Sequence, residues 1–151
     1  MRVYRIASAR YASNNSEGAR LHGGRWNEVG TPVIYSSSSP SLAALEVLVH
    51  FQLVPADYRI INIVIPDELE IERIEATSLP INWYEEGSIP RTAAMGTFWA
   101  RSLTTAVLRV PSAVVRSEYN YILNPLHPKF GEILFEVPAM DELDQRLRRK
   151  R

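Results

Sequence analysis

Residues 32–51 read PVIYSSSSPSLAALEVLVHF, and the fold turns on how this stretch divides. Pro32-Val33-Ile34-Tyr35 is short, apolar and β-prone, bounded by Gly30 and a serine cluster, which is the pattern of a strand. Ser39-Pro40 then opens a helix. Serine suits the N-cap, and proline at the first helical position gives up only an N–H that has no intrahelical partner. The residues that follow, SLAALEVLVHFQL, set Leu42, Leu45, Leu48 and Val49 at three- and four-residue spacing, an apolar stripe down one side.

Working outward, Val3 to Ile6 reads as a short strand, followed by a polar loop through Gly18. Tyr58 to Ile65 alternates loosely and ends at Pro66, a second outlying strand. Residues 92–107 (TAAMGTFWARSLTTAV) form a helix pattern with Thr92 as its cap, and Val107 to Val115 and Gly131 to Val137 read as further strands. Short strands with two helices laid against them make an α+β fold. No internal repeat is present, and residues 1–151 read as a single compact domain.

Composition narrows the possibilities. The chain has 151 residues, 46% hydrophobic, with 17 basic and 17 acidic side chains and no cysteine. A chain of this size buries roughly 68–70% of its unfolded surface and needs no covalent staple. Without cysteine there is no disulfide scaffold, thiolate zinc site, iron–sulfur cluster or cysteine nucleophile. A net charge of zero gives no global field to recruit nucleic acid or an anionic membrane. The start, MRVYRIASARYASNN, has no apolar secretory stretch, and no apolar run approaches the roughly 20 residues of a membrane span. A cytoplasmic location is the expectation. Charge is uneven locally: the first 26 residues hold five arginines against Glu17, residues 67–86 hold seven acids against Arg73, and the chain ends in RLRRKR. That ending reads as a solvated tail.

Three places carry chemistry. Glu46 lies one position after Leu45 in a strongly apolar helix; it either faces solvent at the stripe edge or is paired in a cleft, because a lone buried carboxylate is costly. Gly23-Gly24-Arg25-Trp26-Asn27 combines a permissive backbone with an arginine fork suited to phosphate or carboxylate, or is a glycine turn with a surface arginine and a core tryptophan. In the run PSAVVRSEYNYILNP, residues 111–125, Ser112 sits where a turn meets a strand, and Asn120 and Asn124 stand in an apolar context. Turn chemistry is the plainer reading of these. GxSxG is absent, so Ser112 is no acyl-transfer nucleophile. His22, His50 and His127 show no ligand spacing, and no metal site is expected.

Together these pieces resemble the RES-domain family, the toxins of type II bacterial toxin–antitoxin pairs. The resemblance is carried by YRI at 4–6, GGRWN at 23–27, PVIYSSSSPSLAALEVLVHF at 32–51, PSAVV…EYNYILNP at 111–125 and LDQRL at 143–147. It covers nearly the whole chain in order. Arg116 departs from the pattern, where a proline is expected.

The resemblance implies an ADP-ribosyltransferase-like fold acting on NAD+ as substrate, with no cofactor. The family's arginine falls on Arg5 or Arg25, its glutamate on Glu46, its serine on Ser112 and its tyrosine on Tyr35, with Asn120 added from the matching NYxLNP segment. Cleaving the nicotinamide–ribose bond develops an oxocarbenium-like centre, and a carboxylate fixed in advance stabilises it. Glu46 suits that role. Arg5 and Arg25 would grip the diphosphate, Tyr35 would stack on nicotinamide or hold the ribose, and Ser112 would hold the carboxamide or orient Glu46.

The outcome implied is NAD+ hydrolysis or phosphorolysis, alternatively ADP-ribose transfer to a protein or a catalytically silent binding module. The implied partner is an antitoxin with a helix-turn-helix DNA-binding part. A toxin homodimer inside a larger complex also fits, with no membrane and no direct nucleic-acid contact by this chain.

Overall fold

A computed structural model describes residues 1–140 and 143–149. Among them seven strands form one sheet: β1 (Arg2–Ser8), β2 (Ile34–Ser37), β3 (Tyr58–Val64), β4 (Ile71–Arg73), β5 (Val107–Pro111), β6 (Tyr119–Leu123) and β7 (Leu134–Glu136). Their order is β4-β5-β6-β2-β1-β3-β7. Only the β4–β5 pair is parallel; the others are antiparallel. The helices are α1 (Glu17–His22), α2 (Pro40–Phe51) and α3 (Ile89–Ser102). The expected α+β single domain is what the chain forms.

β2 lies in the middle of the sheet, between β6 and β1. It runs further into the serine cluster than its apolar residues predict, so Ser36 and Ser37 are buried strand residues opposite Tyr121 and Asn120. Their hydroxyls are satisfied there, Ser36 Oγ donating to the Tyr121 carbonyl at 2.8 Å and Ser37 Oγ to Asn120 Oδ1 at 2.8 Å. Ser39 then caps α2, accepting from the Leu42 N–H at 3.1 Å, with Pro40 in the first turn.

The apolar stripe of α2 is placed differently from its spacing. Leu42, Ala43 and Ala44 are buried, with Val47 and Leu48 packed beside them, while Leu45 and Val49 are 42% and 59% exposed. Two alanines let the helix axis approach β1 and β2 closely. The inward face is therefore centred on Leu42–Ala44, and Glu46, four residues after Leu42, turns toward the sheet. Ile6, Val54 and Ile60 complete that core.

Further along the same face of the sheet Trp26, Trp83 and Trp99 pack with Val33, Leu108, Val110 and Ile122. The remaining core cluster joins Val3, Ile61, Ile63 and Ile65 to Val107 and Leu123.

Several boundaries shift for local reasons. α3 starts at Ile89, before the expected Thr92, because Pro90 fits the first turn. Thr92 is buried inside the helix, its hydroxyl bonding back to Ile89 and Ser88 carbonyls. The helix stops at Leu103, whose left-handed φ of 54° turns the chain out toward β5. β5 ends at Pro111 rather than running to Val115, and β7 spans only Leu134–Glu136 after a short 3₁₀ turn. β4 and β6 are strands the periodicity did not single out.

The C-terminal tail is not wholly solvated. Leu147 and Arg149 pair with Val54, and Arg148 is buried, donating to the Tyr58 carbonyl at 2.9 Å. Lys150 and Arg151 of the expected tail lie outside the described residues.

Candidate active site

Glu46 is where three elements meet. α2 carries the carboxylate toward the sheet. The end of β5 supplies Ser112, and β6 supplies Asn120. Ser112 Oγ donates to Glu46 Oε1 at 2.8 Å, and Asn120 Nδ2 donates to the same oxygen at 2.6 Å. Glu46 Oε2 makes no hydrogen bond among the described residues. One oxygen is thus pinned by two donors and the other is left open.

Ser112 is fully buried and fully spent. Its oxygen accepts from the backbone N–H groups of Val114 and Val115, both at 3.0 Å, while its single proton goes to Glu46. The backbone donors fix the hydroxyl rotor, so the proton is aimed at the carboxylate. The turn that ends β5 at Pro111 is what makes these donors available.

Tyr35 on β2 points into the adjacent turn. Its hydroxyl donates to Asn27 Oδ1 at 2.7 Å and accepts from the Trp26 N–H at 2.9 Å. Asn27 in turn donates to the carbonyls of Ala19 and Thr31. The turn fits closely, since a Cβ on Gly24 would stand 2.6 Å from the Tyr35 hydroxyl oxygen. Burial pushes the Tyr35 phenol well above its ordinary range, partly countered by the Trp26 N–H and the Arg25 charge.

Arg25 reaches across to the loop before α3. It donates to the carbonyls of Trp83 at 2.9 Å, Tyr84 at 3.0 Å and Glu85 at 3.2 Å. Burial lowers its pKa, and the nearby negative charge of Glu46 is the largest opposing influence, followed by Tyr35 and Glu86. Arg25, Tyr35 and Glu46 therefore share one electrostatic neighbourhood.

Arg5 stands apart from this group. Its guanidinium holds the loop after β1, donating to Asn15 and Ser13 carbonyls at 2.8 and 3.2 Å. Burial brings its pKa down to about 10, with Tyr58 the charge that opposes it. No described contact links Arg5 to Glu46.

The structure thus gathers Glu46, Ser112 and Asn120 in direct contact and sets Arg25 and Tyr35 beside them. Two further residues escaped the sequence reading. Ser37 bonds Asn120 from the opposite strand. Arg116 stacks its guanidinium over the Tyr84 ring, 4.3 Å from the centroid, and makes no hydrogen bond or ion pair among the described residues. Its sequence signal was its departure from the expected proline. No group of three metal-ligating side chains is present among the described residues. An open depression of about 480 Å³ on α3, lined by Met95, Phe98 and Trp99, shares no residue with the Glu46 cluster.

What this arrangement can do chemically is hold one carboxylate in a fixed orientation, with an open oxygen, beside a cationic group. Known proteins share the framework. The solved complex of the M. tuberculosis toxin MbcT with its antitoxin MbcA contains a chain that superposes with a TM-score of 0.73 at 21% identity, covering 89% of this chain and 80% of that one. That likeness shows the fold.

In sequence, the chain is 36% identical to a Toxin Res of Photorhabdus laumondii over 97% of both chains. It is 37% identical to a Toxin Res of Yersinia enterocolitica over 98% of this chain and 100% of that one. A Prs ADP-ribosylating toxin of a Sphingobium species is 41% identical over 74% of this chain and 71% of its own. The RES domain family model matches residues 2–145, a span that holds every residue of the Glu46 cluster. On that match and these identities, the chain belongs to the RES domain family.

Proposed function

We propose that the protein is the toxin of a toxin–antitoxin pair and an enzyme that consumes NAD+ by breaking its nicotinamide–ribose bond. The observation that carries this reading is the one-sided Glu46 carboxylate, with Oε1 held by Ser112 and Asn120 and Oε2 open. As the C1′–N bond breaks, its electron pair leaves with nicotinamide and positive charge grows on the ribose. A carboxylate fixed beforehand stabilises that charge with no reorganisation during the step. An acceptor oxygen then bonds to C1′ and releases its proton, giving ADP-ribose from water or, from phosphate, ADP-ribose phosphorylated at that same carbon.

The arginines divide the remaining work. Arg25 clamps the 83–85 loop and lends positive charge to the site. Arg116, pre-positioned on Tyr84 with no hydrogen bond or ion pair among the described residues, is the better match for an anionic diphosphate. Tyr35 holds the GGRWN turn and leaves its ring for contact with the ligand. Transfer to a protein acceptor is the second reading, favoured by the relative named as an ADP-ribosylating toxin. The partner is an antitoxin, by analogy with the complex that shares the fold.

The test is NAD+ loss over time with purified protein, with and without inorganic phosphate, alongside Glu46→Gln. Loss in both conditions identifies a hydrolase, and loss only with phosphate a phosphorylase. In either case Glu46→Gln is expected to slow turnover by about a hundredfold or more, the scale of removing one transition-state electrostatic group. A folded Glu46→Gln that turns over NAD+ like the parent would sink the assignment. No loss in either condition, with labelled ADP-ribose appearing on protein in a cell extract, would favour the second reading.

A further inference from the structure

The serine run 36–39 is more than polar filling between a strand and a helix. Ser36 serves the Tyr121 carbonyl and Ser39 caps α2. Ser37 does something different: 3% exposed, it gives its one proton to Asn120 Oδ1. Ser37 and Asn120 are directly opposed partners on β2 and β6, so their side chains leave the sheet on the same face. Glu46 comes down onto that face from α2, which begins three residues after Ser37.

The chemistry gives the chain of bonds a direction. The two ends of an asparagine amide have nearly the same shape, and only hydrogen-bond partners decide which end is which. A carboxylate can only accept. Glu46 is therefore served only when Nδ2 faces it and Oδ1 faces away, toward a group able to donate. Ser37 is that group. Each bond polarises the next, hydroxyl to amide oxygen and amide N–H to carboxylate.

We propose that Ser37 is a positioning residue for Glu46: it locks the Asn120 amide so that Oε1 is held and Oε2 is left to the substrate. Its consequence for turnover rests on the NAD+-cleaving reading, while the positioning itself is a property of the folded chain.

Two measurements test it. In the ¹⁵N-labelled full chain, the Asn120 side-chain amide should show one proton well downfield of other asparagines and slow to exchange. Ser37→Ala should return it to the ordinary range, and an unchanged resonance overturns the proposal. On turnover, Ser37→Ala should lower kcat for NAD+ roughly fivefold to tenfold, about the worth of one neutral hydrogen bond, with KM little changed. Ser37→Thr, which keeps the hydroxyl, should recover most of the loss. In an Asn120→Ala background, Ser37→Ala should cost nothing further, because its route to Glu46 is already cut. Multiplying losses, or equal kcat for the alanine and threonine variants, would show a merely structural serine. If the parent protein leaves NAD+ intact with every acceptor, the enzymatic reading falls, and the amide spectrum alone decides the positioning.

Discussion

Tyr35 illustrates how a side chain can sit in an active-site neighbourhood with its polar group committed to structure. Its hydroxyl has both a donor and an acceptor partner, and both belong to the GGRWN turn. Tyr35→Phe would leave the Trp26 N–H and Asn27 Oδ1 unpaired in a largely dry setting, at about 1–3 kcal/mol per orphaned group. The expected outcome is a melting temperature lowered by several degrees, read by calorimetry. The ring face stays in place, so turnover should fall far less than in Glu46→Gln. Equal losses in the two variants would assign the hydroxyl a chemical role that its hydrogen bonds argue against. Glu46 was legible as a residue of interest because a carboxylate in an apolar helix demands an explanation. Its donors were not legible, since Ser112 and Asn120 lie 66 and 74 residues away in sequence.

For the elements, α2 shows why spacing alone misplaces a buried face. Leu42, Leu45, Leu48 and Val49 fit a stripe, yet the sheet accepts Leu42 with two alanines and leaves Leu45 and Val49 outside. Leu42→Ala should cost about 2–5 kcal/mol by opening a cavity, and Leu45→Ala less than about 0.5 kcal/mol. Denaturant unfolding of the pair checks this, and equal values would refute the packing. α3 makes a tighter contact. A Cβ at Gly96 would lie 1.9 Å from the Trp26 carbonyl oxygen, with the Trp26 carbonyl carbon at 2.7 Å. Both atoms are backbone and have little room to yield. Gly96→Ala should therefore destabilise by more than about 3 kcal/mol, or displace the whole GGRWN turn. A Gly96→Ala protein as stable as the parent would contradict the close approach of helix and turn.

Across the whole molecule, stability also draws on contacts that join distant parts of the chain. Ser8 at the end of β1 donates to Asp57 Oδ2 at 2.5 Å, just before β3, and this bond holds the Asp57 carboxyl below its usual range. A carboxyl depressed in the folded state contributes stability above its unfolded pKa of 3.8, and loses it as pH falls through the lower folded value. Melting temperature should therefore drop more steeply below about pH 4 in the parent than in Asp57→Asn, which has no charge to lose. Parallel acid profiles for the two proteins would contradict that linkage. The buried Arg148 bond to the Tyr58 carbonyl closes the same end of the sheet from the C-terminus. Nothing in the basic run RLRRKR announced it.

What the sequence determined by itself was local and compositional. The Ser39-Pro40 start of α2, the β-prone segments at 3–6 and 58–65, the absence of cysteine chemistry and the ordered family motifs all follow from neighbouring residues or from counts. Tertiary structure decided the rest, because hydrogen bonds and packing act between residues far apart in the chain. Pairing β2 with β6 set Ser37 against Asn120, and the turn after β5 aimed Ser112 at Glu46. The approach of α2 to the sheet chose which of its residues are buried. The arginines were readable as cations, but only the folded chain shows that Arg5 and Arg25 spend their donors on backbone carbonyls while Arg116 stacks on Tyr84 and makes no hydrogen bond among the described residues.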